Sequence, residues 1–241
     1  YSSPKQVGGG TDWSKVASGA ASYGIKTDGT MYSWGGNANG ALGQNAPPSS
    51  ARSSPVQIPG TIWANCSAFS EGCYAVRTDG TLWAWGGGHH GTMGNNTGSP
   101  SATRSSPIQI GSETNWSTSD GKILQAGLFG AAINTDGELF TWGHNNHGCL
   151  GHNNTTEYSS PTQIPGTWGS VHRAGRSGPG GQSMMAIKTD NTLWAWGANT
   201  GWSSGCLGQN DTINYSSPVQ VPGSWINGQT GGMSSILQQM V

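Results

Sequence analysis

The sequence predicts an all-β fold, a β-propeller of four-stranded antiparallel blades. A stretch of the form Thr-Asp-Gly-Thr-Leu-Trp-Ala-Trp-Gly returns four times, the phrase Ser-Ser-Pro-x-Gln returns at blade-sized intervals, and 12 tryptophans supply a core despite 41 glycines. We expect one domain over residues 1–241. Its repeat cores lie at about 13–58, 63–110, 116–164 and 168–221, with a partial repeat at 225–241.

A tight hairpin turn opens each copy of the longer repeat. Its two-residue loop is aspartate followed by glycine or asparagine, and these pairs tolerate the positive φ angles that such turns need. The turn aspartates are Asp28, Asp79, Asp136 and Asp190. We assign them to turn chemistry and not to a ring of carboxylates around a cation.

The strand after each turn alternates aromatic residues with aliphatic or small ones. Because both alternating sets are apolar or small, both faces of each blade are predicted to be buried against neighbouring blades. The small residue leaves room for the indole of the next unit. The core tryptophans that end these strands are Trp34, Trp85, Trp142 and Trp196.

A proline-containing strand and a variable loop complete each unit. Proline belongs on an edge strand, so Ser-Ser-Pro-Val-Gln-Ile is interpreted as the border of a blade. Between the Trp-Gly strand and this phrase lies a Gly- and Asn-rich loop of varying length. Variable loops at one end of a rigid scaffold are where binding residues usually occur.

These loops supply the candidate binding residues. They are His89, His90, His144, Asn145, Asn146, His147, Asn199 and Trp202. If neighbouring loops share one rim, their histidines would gather as metal ligands or as a pH-sensitive contact patch. Solvated histidines are the simpler interpretation, so we assign no metal and no cofactor. Trp202 lies in an insertion, where an indole would stack on a sugar or anchor a partner.

The composition restricts the class of partner. Charged residues make up 9% of the chain and the formal net charge is −1, with no basic cluster for a phosphate backbone. No apolar run of 18 residues is present, so we expect no insertion into a membrane. The remaining partners are protein or glycan, including another copy of the chain.

Two of the four cysteines form a candidate disulfide. Cys66 and Cys73 flank a predicted hairpin loop and would pair across it, although connectivity cannot be deduced from spacing alone. The chain contains no Cys-x-x-Cys pair, which argues against a structural zinc site of that type.

The combination of Thr-Asp-Gly, an aromatic strand, Trp-Gly, an Asn-containing loop and Leu-Gly, as in Gly24 to Gly43, resembles the regulator of chromosome condensation repeat family. The resemblance covers nearly the whole chain and implies a β-propeller, typically of seven blades. Two geometries stay open, an arc of a larger propeller and a five-bladed ring closed by residues 225–241. We favour the ring or a near-ring within one chain.

The leading functional hypothesis is a non-enzymatic structural or adhesive module, located outside a cell or on a virion surface. Repeats with this neutral composition are similar to those of bacterial secreted proteins and phage structural proteins. The family resemblance also implies two alternatives, guanine-nucleotide exchange on a small GTPase and inhibition of an enzyme by a secreted propeller.

Overall fold

The protein is built from four antiparallel sheets of four strands each, as the sequence predicts. Its computed structural model describes residues 3–68, 71–97, 103–174, 182–223, 225–226, 230–231, 234–235 and 238–239. Within each sheet the strands follow one another in chain order. We call these sheets blades 1 to 4, as in a propeller.

The blades have closely similar bounds. Blade 1 contains β1 (Trp13–Ser18), β2 (Ala21–Lys26), β3 (Met31–Gly35) and β4 (Arg52–Ile58). Blade 2 contains β5 (Trp63–Ala68), β6 (Gly72–Arg77), β7 (Leu82–Gly86) and β8 (Arg104–Ile110). Blade 3 contains β9 (Ile123–Ala126), β10 (Phe129–Ile133), β11 (Leu139–Gly143) and β12 (Tyr158–Ile164). Blade 4 contains β13 (Trp168–Ala174), β14 (Ser183–Lys188), β15 (Leu193–Gly197) and β16 (Tyr215–Val221).

Short segments complete the described chain. After blade 4, β17 (Trp225–Ile226) pairs with β20 (Gln238–Gln239), and β18 (Thr230–Gly231) pairs with β19 (Ser234–Ser235). Three short 3₁₀ turns cover Ala38–Gly40, His89–Gly91 and Gly201–Ser203. Among the described residues, no helix has the length and apolar character needed to cross a membrane.

The proline strand forms the border of each blade. Within the described residues β4 pairs only with β3, so Pro55 lies on an edge strand, where its missing N–H costs no ladder bond. At the opposite border, the first strands of successive blades contact one another, β1 with β5, β5 with β9 and β9 with β13. The inner border is therefore shared along the series of blades, an arrangement that fits both an arc and a ring.

The turn aspartates close the hairpins through their side chains. Asp28 Oδ1 accepts hydrogen bonds from the backbone N–H of Thr30 at 2.9 Å and from its hydroxyl at 2.6 Å. The same two bonds join Asp79 to Thr81 and Asp190 to Thr192. Hydrogen bonds from the threonine side chains hold the pKa of these three carboxyls below their ordinary value.

Asp136 departs from this scheme. Its own N–H and that of Glu138 donate to Asn134 Oδ1, at 3.1 and 2.9 Å. The Asp136 carboxylate instead accepts from Asn115 Nδ2 at 2.9 Å. The reason is local, since Glu138 stands where the other blades have a threonine and offers no hydroxyl to the aspartate.

Buried indoles join each blade to the one before it. The indole N–H groups of Trp85, Trp142 and Trp196 donate to the carbonyl oxygens of Ala41 (3.0 Å), Thr92 (3.1 Å) and Cys149 (2.8 Å) in the preceding blade. All three side chains are fully buried, whereas Trp34 in blade 1 is only half-buried. The predicted packing of an indole against the adjacent unit is thus present at all three interfaces.

Backbone contacts repeat at the same interfaces. Each Asp-Gly or Asp-Asn turn accepts a backbone N–H from the first tryptophan of the next unit. These bonds run from Trp63 to Gly29 (3.0 Å), Trp116 to Gly80 (3.0 Å), Trp168 to Gly137 (2.7 Å) and Trp225 to Asn191 (2.8 Å). The partial repeat therefore begins with the same connection that starts blades 2 to 4.

The loop of residues 117–122, just before β9, ties blade 3 to the three other blades. Asn65 Nδ2 of blade 2 donates to Ser119 O at 2.8 Å, and the N–H of Val171 in blade 4 donates to Gly121 O at 2.8 Å. Lys15 of blade 1 forms an ion pair with Asp120. This loop links all four blades beside their inner strands, a contact that the repeat pattern does not predict.

The structure has Cys66 and Cys73, the pair of the candidate disulfide, as free thiols. In the β5–β6 ladder, Cys66 faces Ala75 and Cys73 faces Ala68. The two cysteines are therefore diagonal neighbours, a relation that typically separates Cα atoms by about 7–8 Å, longer than a disulfide prefers. Burial raises the pKa of the Cys73 thiol well above its ordinary value.

We predict that Trp85→Phe destabilises the protein by about 2–4 kcal/mol, because it removes buried ring volume and the indole N–H that donates to Ala41 O across the interface of blades 1 and 2. The matched control is Trp83→Phe, since Phe140 occupies the same place in blade 3 and the Trp83 indole donates within its own blade to Thr81. In urea unfolding, Trp83→Phe should lower the free energy of unfolding by less than about 1 kcal/mol. Equal losses for the two variants would contradict the proposed role of the interface.

Candidate functional site

The described histidines concentrate at one end of blades 2 and 3. Five of the six histidines lie in the loops that follow β7 and β11. Glu71, in the turn before β6, and Glu157, just before β12, face the same loops. We call His89, His90, His144, His147, Glu71 and Glu157 the histidine rim.

The loop of blade 2 is held against blade 3 by its backbone. Gly91 has φ +76°, and a Cβ on it would lie 2.7 Å from the Cα of Ser159 in β12, so only glycine fits. The N–H of Asn96 donates to Ser159 O at 2.8 Å. His90 itself has φ +57°, a left-handed conformation that is uncommon for a residue with a side chain. The docked loop thereby positions His90 beside blade 3.

His90, His144 and Glu157 form the centre of the rim. His90 Nδ1 is 2.8 Å from Glu157 Oε1, and His144 Nε2 is 3.5 Å from the same oxygen. The two imidazole rings lie 4.4 Å apart between centroids and are tilted by 59°. His144 follows β11 directly and is buried, whereas His90 and Glu157 are exposed. One fixed and two adjustable side chains thus meet at the boundary of two blades.

The environment of His144 favours its neutral form. Burial is the main cause that lowers its pKa, and the neighbouring His90 acts in the same direction. A hydrogen bond with the Gln182 side chain and the charge of Glu157 oppose this shift without cancelling it. His89, further along the rim, lies 3.8 Å from Glu71 between Nε2 and Oε2. The rim therefore combines imidazoles with carboxylates.

Two predicted binding residues have structural roles instead, because their side chains are fully buried. Asn145 Nδ2 donates to the carbonyl of Thr156 at 2.8 Å, and its Oδ1 accepts from the N–H of Leu150 at 2.9 Å. Asn199 in blade 4 likewise donates to Asp211 O at 3.0 Å and accepts from Leu207 N–H at 3.2 Å. Both asparagines fasten the two ends of a loop together, so neither amide is available to a ligand.

The other predicted residues differ in exposure. Asn146 is exposed and His147 is half-buried in the same loop as His144. Trp202 contributes its backbone to the 3₁₀ turn Gly201–Ser203, and its side chain lies outside the described part of the structure. The structure therefore brings together His90 and His144 with His89 and His147 nearby, while Trp202 belongs to the separate loop of blade 4.

Sequence reasoning missed the two glutamates of the rim. A signal for Glu157 exists in the repeats, since the residue that precedes the proline strand is Ala51, Thr103 or Asn214 in the other blades. His144 likewise replaces a small residue, Gly36, Gly87 or Ala198. Two departures from the repeat in one blade are a detectable pattern, but their proximity to His90 depends on how the loops fold.

A second polar pair lies inside blade 4. Ser170 Oγ and His172 Nε2 are 2.9 Å apart on β13, and both side chains are buried. Substrate could not reach this hydroxyl without opening the blade. We therefore do not assign the pair a catalytic role.

Comparison with known proteins finds a repeat-family model that matches two segments of the chain. The model of the regulator of chromosome condensation (RCC1) repeat matches residues 28–68 and 136–173. The first match runs from the turn of blade 1 into β5, and the second runs from the turn of blade 3 into β13. Each match therefore crosses a blade boundary, where the interblade contacts described above occur.

Curated relatives share about a quarter of their residues with this chain. The E3 ubiquitin-protein ligase HERC2 of Homo sapiens is 26% identical over 195 residues, 76% of this chain and 4% of that protein. The ultraviolet-B receptor UVR8 of Arabidopsis thaliana is 26% identical over 198 residues, 82% of this chain and 43% of that protein. The chain spans less than half of each relative. Both are eukaryotic, so the bacterial or phage character expected from composition stays a prediction.

Solved structures show the same fold. Human WBSCR16 superimposes with a TM-score of 0.75 at 23% identity, covering 92% of this chain and 56% of that one. Prp20p of Saccharomyces cerevisiae, studied together with its binding to Gsp1p and histones, superimposes with a TM-score of 0.71 at 15% identity, covering 88% of this chain and 51% of that one. The four blades therefore share the fold of these two proteins.

We predict that His152→Gln reduces the loss of stability between pH 7.5 and 5. Burial lowers the pKa of His152, whose ring packs on Tyr158. Because the unfolded chain binds this proton more readily, with a pKa of about 6.5, stability due to neutral His152 is present above that pH and falls as the pH drops through it. Glutamine stands at this position in blades 1 and 4, as Gln44 and Gln209.

The measurement is the free energy of unfolding in urea at the two pH values, for the parent and the variant. The parent should lose more stability on acidification than His152→Gln. Identical pH dependence would mean that His152 titrates alike in the folded and unfolded chains.

Proposed function

We propose that this RCC1-type propeller is a non-enzymatic protein-binding module and that the histidine rim is its binding surface. One observation carries the proposal. In a chain with only 9% charged residues, most of the histidines and two glutamates converge on one end of blades 2 and 3. Titratable groups concentrated on an otherwise neutral surface supply directional contacts for a partner.

The rigidity of the loops supports a binding role. Asn145 fastens the loop of blade 3 to itself, and Gly91 docks the loop of blade 2 on β12. A surface held in one conformation loses little entropy when a partner binds. The fold match to Prp20p, a protein whose binding to Gsp1p and histones was characterised, agrees with recognition of proteins by this architecture.

We further propose that the module acts outside a cell or on a virion surface, as a structural or adhesive component that contacts protein or glycan. The support is compositional, since Gly, Asn, Ser and Thr occupy the positions where an ordinary domain carries charge. Such a surface offers hydrogen bonds without strong electrostatic fields. The alternative of a secreted enzyme inhibitor depends on Trp202, whose side chain the structure does not describe.

The direct test is quantitative co-purification from the native source. Tagged parent protein would be cross-linked and recovered separately from supernatant or virions and from cytosol. It would be compared with the variant His89→Ser/Asn146→Ser/His147→Ser, called the rim variant, which changes two rim residues and their exposed neighbour Asn146. The control is Gln57→Ser/Thr61→Ser, which changes exposed residues at the opposite end of blade 1. We expect the amount of a specific partner recovered with the rim variant to be at least about 10-fold lower than with the parent, and the amount recovered with the control to be unchanged.

Two results would count against these proposals. If the rim variant retained all partners, the rim would not be the binding surface. Recovery of the protein only from cytosol would contradict the proposed location but not the binding function.

A second candidate is guanine-nucleotide exchange on a small GTPase, which the family resemblance implies. The match to Prp20p, which was tested for binding to Gsp1p, is the observation that favours it. If it holds, the purified chain should accelerate release of a fluorescent guanine nucleotide from at least one GTPase of a panel, in a concentration-dependent manner. Unchanged release rates across the panel would eliminate this candidate.

A further inference from the structure

We propose that His90, His144 and Glu157 form a binding site for Zn²⁺ at the boundary of blades 2 and 3. One ligand atom from each of the three residues lies within 4.8 Å of the other two. Two imidazole nitrogens and one carboxylate oxygen are a ligand set that zinc sites use, with a fourth position open to water or another donor. The inference is independent of the partner-binding function.

The geometry requires only small side-chain movements to enclose a metal. With metal–ligand distances of about 2.0–2.2 Å, ligand atoms of a tetrahedral site are about 3.3–3.6 Å apart. His144 Nε2 and Glu157 Oε1 are already 3.5 Å apart, and His90 Nδ1 is 2.8 Å from that oxygen. Because His90 and Glu157 are exposed, their side chains can adjust without repacking the core.

His144 supplies the fixed ligand. Its side chain is 7% exposed, and it directly follows β11. The Gln182 side chain forms a hydrogen bond with this imidazole. Nε2 is the ring nitrogen that faces Glu157, so it is the atom that would bind the metal.

The three residues are also the ones that the propeller repeat does not require. At the position of His144 the other blades have Gly36, Gly87 and Ala198, and at the position of Glu157 they have Ala51, Thr103 and Asn214. Asn39 has the same left-handed φ as His90, +56° against +57°. The loop conformation therefore does not need histidine. Blade 3 has His147 at the same repeat position, so the combination of His90 with His144 and Glu157 is what distinguishes this interface.

The donor set selects the class of metal. Mg²⁺ and Ca²⁺ prefer sites built from oxygen ligands, which two imidazoles do not provide. Zn²⁺ accepts imidazole and carboxylate together. Because the ligands come from two blades, bound Zn²⁺ would also connect blade 2 to blade 3 and stabilise that interface.

The test is titration of the purified, metal-free chain with Zn²⁺ by calorimetry, with Co²⁺ as a spectroscopic substitute. We expect one ion per chain, an absorption spectrum of four-coordinate Co²⁺, no binding of Mg²⁺, and a higher melting temperature with Zn²⁺. His90→Asn and Glu157→Thr, which place the residues of blades 1 and 2 at these positions, should each weaken binding at least about 10-fold.

The matched controls are His89→Ala and His147→Asn, which install the residues that blade 1 has at the same positions, Ala38 and Asn39. Both should change the Zn²⁺ affinity by less than about twofold, and circular dichroism should show that every variant is folded. Absence of Zn²⁺ binding by the parent chain would overturn the proposal. So would parent-like affinity in both His90→Asn and Glu157→Thr, or an equal loss in His89→Ala.

Discussion

The structure depends on one contact, the hydrogen bond from a buried indole N–H to a loop carbonyl of the preceding blade. It occurs at each of the three interfaces in the series, between blades 1 and 2, blades 2 and 3, and blades 3 and 4, with donor–acceptor distances of 2.8–3.1 Å. An indole can satisfy this carbonyl while it also fills the space between sheets, which neither an aliphatic side chain nor phenylalanine can do. The contact thus couples the packing of the core to the position of each loop.

This coupling explains why the rim loops are available as a preformed surface. The carbonyl that accepts the indole lies in the same loop that carries the histidines, as Thr92 follows His90 and Gly91. Docking of Gly91 on Ser159 fixes the other side of that loop. Movement of the rim would therefore break bonds inside the core, and a partner or metal ion meets groups that are already ordered.

The residues that hold the blades together and the residues that form the rim occupy different positions of the repeat. Blade residues such as Trp85 and Asp79 repeat because every interface needs the same contacts. His144 and Glu157 occur once because they take part in only one interface. This division lets a repeat architecture keep its stability while one boundary acquires binding groups.

The amino-acid sequence determined the four-stranded blades, their approximate limits, the turn chemistry of Asp28, Asp79 and Asp190, and the loops that carry the histidines. These features depend on local pattern, which alternation and turn residues express directly. Tertiary structure decided the rest. It buried Asn145 and Asn199, left Cys66 and Cys73 as free thiols, tied the four blades together through residues 117–122, and brought Glu157 to His90 and His144. Those outcomes depend on how each loop folds back on itself and on contacts between blades, and the alternation of residue types along a strand determines neither.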